Sequence, residues 1–187
     1  MKNFVSYYYQ INTVVSTNPK SILEIGVGNK LLSTHLKNGN YIVKNLDLNP
    51  NLKPDFVGNV LKMPFKDNSF DTVCAFEILE HLPLKDFKKA LLEISRVTKK
   101  SVVLSLPIKK NVFFTYFGLL SRNISFFIPI PLIFNSRCKK CKSHFWEINN
   151  GVSLKEIKLI LEKHFKIKKA FRADINVYHY FFILEKK

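Results

Sequence analysis

The sequence predicts a doubly wound α/β fold: a mostly parallel seven-stranded sheet, its last strand antiparallel, with helices on both faces. Three observations carry this. Short apolar runs ending in glycine or at Asn-Pro alternate with stretches of helical spacing. The last two runs are joined by too few residues for a parallel crossover. A chain of 187 residues with 47% hydrophobic content suits one domain around a single core.

Ser21 to Ile25 reads as a buried parallel strand that exits into glycines, followed by a helix over Asn29 to Lys37 with Asn38-Gly39 as its stop. Tyr41 to Leu48 is the second strand, closed by Asn49-Pro50. Phe56-Val57 is a brief third strand and Phe70 to Phe76 a fourth. A helix over Leu84 to Thr98 follows, with Phe87, Leu91, Ile94 and Val97 on one face. Ser101 to Leu106 is the fifth strand, stopped by Pro107. Ser153 with Glu156 three residues on forms a capping-box pattern for a helix to His164. Lys166 to Ala173 and Asn176 to Glu185 complete the sheet. The domain is expected to span 1–187, with an insert at about 108–147.

That insert is compositionally unusual. Val112 to Phe134 holds six of the seventeen Phe residues, yet Arg122 and Asn123 sit at its centre and Pro129 and Pro131 break a helix. It reads as an apolar lid or interfacial element, not a membrane span. Thirty Lys and Arg against fourteen Asp and Glu give +16, which suits an anionic partner or a solvated lysine-rich surface. Three cysteines make no disulfide framework, and the first residues are too short and polar for a signal peptide, so a cytoplasmic setting is expected. The basic residues near the insert add possible peripheral contact with an anionic membrane.

The chemistry centres on Gly26-Val27-Gly28-Asn29-Lys30. A P-loop needs Gly-x4-Gly-Lys-Ser/Thr, which is absent, and a dinucleotide loop wants a small residue where Leu31 stands. Further along are Leu46-Asp47-Leu48-Asn49-Pro50, Gly58-Asn59-Val60-Leu61-Lys62-Met63-Pro64, and Phe76-Glu77-Ile78-Leu79-Glu80-His81-Leu82. From about Ser21 to Pro107 these stretches, in this order, resemble the class I S-adenosylmethionine-dependent methyltransferases, the small type with a Rossmann-like sheet and no helix between the third and fourth strands.

The resemblance implies S-adenosyl-L-methionine as cofactor, S-adenosyl-L-homocysteine as product, and Glu24, Gly26, Gly28, Asp47, Leu48, Asn59, Val60, Phe76 and Glu77 as the cofactor-binding residues. Glu24 would accept from the methionine ammonium, Gly26 and Gly28 would let the backbone approach, and Asp47 would accept the ribose hydroxyls. Asn59 stands where the family commonly has aspartate. Lys30 replaces the motif's third glycine and is expected either to meet the cofactor carboxylate or to face solvent.

His81 is the first candidate catalytic base, and His144 a second candidate catalytic residue, expected to line the acceptor pocket from the lid side. Each also has a structural reading, as a loop hydrogen bond or as packing. Cys138-x2-Cys141-x2-His144 has the spacing of a zinc half-site but lacks a second cysteine pair, so no metal is assigned. After the fourth strand the sequence reads Ala75-Phe76-Glu77-Ile78, not the Asn/Asp-Pro-Pro-Tyr/Phe of amino-directed nucleic-acid enzymes. The acceptor is therefore expected to be a small molecule, a lipid or a lipid-linked glycan. The alternative is a catalytically silent or RNA-directed cofactor-binding domain acting through its basic surface.

Overall fold

The computed structural model describes residues 2–109, 112–119, 122–129, 143–173 and 178–187, those at 112–119 and 122–129 by their backbone. Helix α1 (Lys2–Val15) leads into β1 (Ser21–Ile25), α2 (Leu31–Asn38), β2 (Ile42–Asp47), β3 (Phe56–Val57), β4 (Phe70–Phe76), α3 (Leu84–Val97) and β5 (Thr98–Pro107). Then come β6 (Val112–Leu119), β7 (Arg122–Pro129), β8 (Glu147–Ile148), β9 (Gly151–Val152), α4 (Leu154–Leu161), β10 (Phe165–Arg172) and β11 (His179–Lys186).

Seven strands form one sheet in the order β10-β11-β5-β4-β1-β2-β3. Strands β3, β2, β1, β4 and β5 run parallel, while β11 pairs antiparallel with both β5 and β10. The order reverses between β1 and β4, and that switch point opens a crevice beyond their carboxyl ends.

Alternation along β1 divides the core in two. Leu23 and Ile25 face the cluster that holds Phe87, Leu91 and Ile94 of α3 and Ile157 and Leu161 of α4. Ile22 faces Leu32 and Leu36 of α2 and Val14 of α1. The α3 stripe Phe87, Ala90, Leu91, Ile94, Val97 is fully buried, and each large apolar side chain in it stabilises the fold by roughly 1.5–3 kcal/mol. Ser153 and Glu156 cap α4 reciprocally, as their spacing predicts.

Helix α1 was not anticipated. Its inward stripe is Ser6, Gln10, Thr13 and Val14, and three of these four buried residues are polar. Hydrophobic periodicity has little to detect in such a helix. The aromatic insert forms, in its backbone, an antiparallel hairpin pairing Val112 with Pro129 through Leu119 with Arg122. Residues 130–142, with Cys138, Cys141 and much of the basic cluster, lie outside the described residues. Among the described residues no helix is long and apolar enough to cross a membrane.

Candidate functional site

Two cavities lie side by side at the switch point, and Gly26 lines both. The first, of about 280 Å³, is lined by Glu24, Val27, Gly28 and Asn29, by Phe76 and Glu77, and by Ser6, Tyr7, Gln10 and His179. The second, of about 300 Å³, is mainly apolar, with Ile25, Leu46, Leu48, Val60, Ile78 and Leu82 around Asp47, Asn59 and His81.

The glycine loop is built for close approach. Gly26 has φ +81°, and a Cβ there would stand 2.2 Å from Ile78 Cδ1. Gly28 has φ +47° and would meet nothing within 4 Å, so its requirement is conformational and the space above it is open. The next positive φ falls on Lys30, at +64°, in the residue that precedes α2. This is the position of the motif's third glycine. Lys30 turns outward and its Nζ donates to the Lys53 carbonyl at 2.6 Å.

Asp47 latches the loop to the end of β2. Its Oδ2 accepts the Val27 N–H at 2.9 Å and its Oδ1 accepts the Asn49 N–H at 2.8 Å, leaving further acceptor capacity on each oxygen. Leu48 is 69% exposed beside it, and Val60 is buried in the core beneath. Asn59 Oδ1 accepts the Leu61 N–H at 2.9 Å in an Asx turn, so the side chain presents its amide N–H₂ as the free donor.

Glu24 is the electrostatic anomaly of the first cavity. It is buried, and among the described residues its Oε2 has no hydrogen-bond partner. Burial pushes its pKa up to about 7, helped by the charge of Asp47 and opposed by Ser33 and Lys37. An unpartnered carboxylate in a ligand-sized cavity is suited to a cation with N–H donors.

Opposite it stands a wall in which Glu77, singled out from the sequence, meets Ser6 and His179, which sequence reasoning missed. Ser6 Oγ lies 2.9 Å from His179 Nδ1, and His179 Nε2 lies 3.4 Å from Glu77 Oε2. Ser105 Oγ donates to Glu77 Oε1 at 2.9 Å. Burial lowers the His179 pKa to about 4, and burial together with the neighbouring Glu80 raises that of Glu77 well above the usual carboxylate range. Both shifts disfavour the charged forms. Glu77 also carries a positive φ of 55°, a strained conformation of the kind found at ligand sites. Ser6 and His179 are 173 residues apart, so no local pattern could have joined them.

The two candidate catalytic residues come together. His81 is exposed in the turn after β4, with Nδ1 3.0 Å from the Ser143 carbonyl. His144 places Nδ1 2.9 Å from Glu147 Oε1, and the two imidazole rings are 4.8 Å apart. Trp146 is buried against Phe87 and donates from Nε1 to the Leu82 carbonyl at 2.9 Å, which ties this segment to the turn after β4. His144 thus faces Glu80 and His81. The cysteines of the half-site spacing, Cys138 and Cys141, lie outside the described residues.

Comparison with known proteins bears on the fold. Residues 23–106 match the family model described as a methyltransferase domain. An uncharacterised protein of Methanocaldococcus jannaschii is 36% identical over 85 residues, covering 42% of this chain and 36% of that protein's length. Magnesium protoporphyrin IX methyltransferase from Synechocystis, crystallised with S-adenosylhomocysteine, superposes with a TM-score of 0.68 at 15% identity, covering 97% of this chain and 82% of that one. The N-methyltransferase NodS of Bradyrhizobium japonicum, also with S-adenosylhomocysteine, gives 0.66 at 10% identity over 97% and 85%.

Proposed function

We propose that this chain, a class I S-adenosylmethionine-dependent methyltransferase, transfers a methyl group to a small organic acceptor that enters the polar cavity walled by Ser6, Tyr7, Gln10, Phe76, Glu77 and His179. The observation that carries the reading is the paired cavity at the β1/β4 switch point, with Glu24, whose Oε2 has no partner among the described residues, lining one half and Asp47 lining the other.

The residues fit S-adenosylmethionine as two complementary halves. Glu24 would accept from its ammonium, with the Gly26–Gly28 backbone alongside. Asp47 would hold the ribose hydroxyls, and Leu48, Val60 and Ile78 would flank the adenine with Asn59 at its edge. When bound, the cofactor supplies an electrophilic methyl on a sulfonium and leaves as S-adenosylhomocysteine. The chain's own share is positioning and desolvation, which supply much of the rate in such a displacement. Ser105 orients Glu77 and Ser6 orients His179 along the wall of the acceptor space.

Calorimetry with S-adenosylhomocysteine tests the cofactor half. Wild type should bind it, and Asp47→Ala should weaken binding at least tenfold, about the 1.4 kcal/mol expected for losing two charge-assisted hydrogen bonds, net of loop rearrangement. No binding by folded wild type, or undiminished binding by Asp47→Ala, refutes the assignment.

A lipid or lipid-linked glycan is the greasy end of the same acceptor class, and a cytoplasmic setting with peripheral membrane contact accompanies it. Its support is the aromatic composition of Val112 to Phe134 and the net charge of +16. Co-sedimentation with vesicles of anionic lipid checks this. Binding that persists after deletion of residues 112–134 counts against it.

A further inference from the structure

Three side chains that the methyl-donor reading leaves without a joint role converge just past the end of β4. One ligating atom from each of Glu80, His81 and His144 lies within 4.8 Å of the others. Glu80 is fully buried, and among the described residues neither of its carboxylate oxygens has a hydrogen-bond partner. His144 Nε2 stands 3.8 Å from Oε1, beyond hydrogen-bonding distance. Folded proteins hydrogen-bond buried carboxylates or give them a metal, and among the described residues the Glu80 carboxylate accepts no side-chain hydrogen bond.

The two histidines are held in a way that suits ligation. His81 has Nδ1 against the Ser143 carbonyl, and His144 has Nδ1 against the Glu147 carboxylate. An acceptor on Nδ1 fixes the proton there and leaves the Nε2 lone pair free, the outer-shell pattern of metal-bound imidazole. His144 Nε2 already faces Glu80.

We propose that Glu80, His81 and His144 bind a divalent transition-metal cation whose open positions take a hydroxyl oxygen of the acceptor. Two imidazoles and one carboxylate form a donor set for zinc, manganese, iron or cobalt, and three protein ligands leave the cation coordinatively open, as in catalytic and not structural sites. The location suits acceptor binding. His81 lines the second cavity and Glu77, four residues earlier, lines the first, so the cluster sits where the two adjoin. A hydroxyl on the cation would lose its proton to solvent water near neutral pH, and its oxygen would keep the electron pair as the nucleophile. The acceptor half of the proposal rests on the methyltransferase reading and makes the acceptor an alcohol or phenol.

The test uses the full chain after chelator treatment, titrated with Mn²⁺, Co²⁺ and Zn²⁺, with S-adenosylhomocysteine binding measured on the same samples. Wild type should bind one cation. Glu147→Gln, which keeps the side chain's shape but removes the charge that faces His144, Tyr178 and Asn150, should weaken binding 10- to 100-fold, and His81→Gln by at least as much. Because His81 is exposed, its variant leaves the core intact. Cys138→Ser/Cys141→Ser should bind as wild type, with no thiolate charge-transfer band in the Co²⁺ form. Folded protein that binds S-adenosylhomocysteine but no cation overturns the site, as does undiminished affinity in His81→Gln or a thiolate band. Cation binding with the expected variant pattern but no S-adenosylhomocysteine binding supports the site and sinks the methyl-donor reading instead. Any methyl transfer found should be to oxygen and stop on chelation; an N-methyl product insensitive to chelation overturns the acceptor half.

Discussion

Cofactor affinity should depend on pH through Glu24. Its carboxyl has a pKa near 7 because it is buried and Oε2 is unpartnered. Only the ionised form can pair with an ammonium, and that pairing would return its pKa toward the usual range for a carboxylate. The ionised fraction rises from roughly one tenth at pH 6 to one half at pH 7, so S-adenosylhomocysteine should bind about fivefold more tightly across that unit. This window lies below the titration of the ligand's own α-amino group, at about 7.7–8.0. Calorimetry in buffers of different ionisation enthalpy should also register about half a proton released on binding at pH 7. Glu24→Gln should flatten the pH dependence and abolish the proton release. The same shift acts on stability with a definite sign. A carboxyl whose folded pKa exceeds its unfolded one favours the fold at low pH, and that contribution is lost between about pH 4.5 and 7. The cost above pH 7 is about 3 kcal/mol, which Glu24→Gln should recover in denaturant melts of the free protein. Affinity constant between pH 6 and 7, or an unchanged slope in Glu24→Gln, would refute the reasoning.

Lys30→Gly should stabilise the free protein by about 1 kcal/mol in a urea melt, because it relieves a left-handed conformation, and should leave S-adenosylhomocysteine affinity within twofold. Gly26→Ala should destabilise by roughly 1–3 kcal/mol, from its positive φ and from the collision with Ile78, and displacement of Ile78 into the second cavity should cost ligand affinity as well. Arg96 bonds Glu93, Asp67 and the carbonyls of Phe65 and Met63, clamping the β3–β4 connection to α3. Arg96→Ala should cost roughly 2–3 kcal/mol in melts and expose that connection to limited proteolysis.

The parallel half of the sheet was legible because β1 and β4 are buried along nearly their whole length and read as apolar runs, while β2 alternates and ends at Asn49-Pro50 and β5 ends at Pro107. Glu24, Gly26 and Gly28 could be singled out because one strand end and its loop carry them, and Asp47 because it closes the next strand. Helix α1 was not, since its buried face is polar. The wall of Ser6, Glu77 and His179 was not, since it exists only once β11 lies beside β5 and places His179 opposite Pro107. His144 drew attention through the nearby Cys-x2-Cys spacing, whereas its neighbours in space are Glu80 and His81, more than sixty residues earlier. Local spacing records what lies on one loop; it is silent on what a loop is folded against.

The reversal of β11 also constrains how the sheet is assembled. In the chain β10 precedes β11, but in the sheet β11 stands between β10 and β5. Strand β10 therefore has no ladder to join until its successor is in place, and the order of assembly cannot follow the order of the sequence. The antiparallel pair can form locally and dock on β5 as one unit, in a late step that depends on the longest-range contacts in the sheet. Until that docking, the crevice above β1 and β2 can form while His179 is still absent from its wall. A folding intermediate of that composition would recognise the nucleoside half of a ligand before it could select what receives the methyl group.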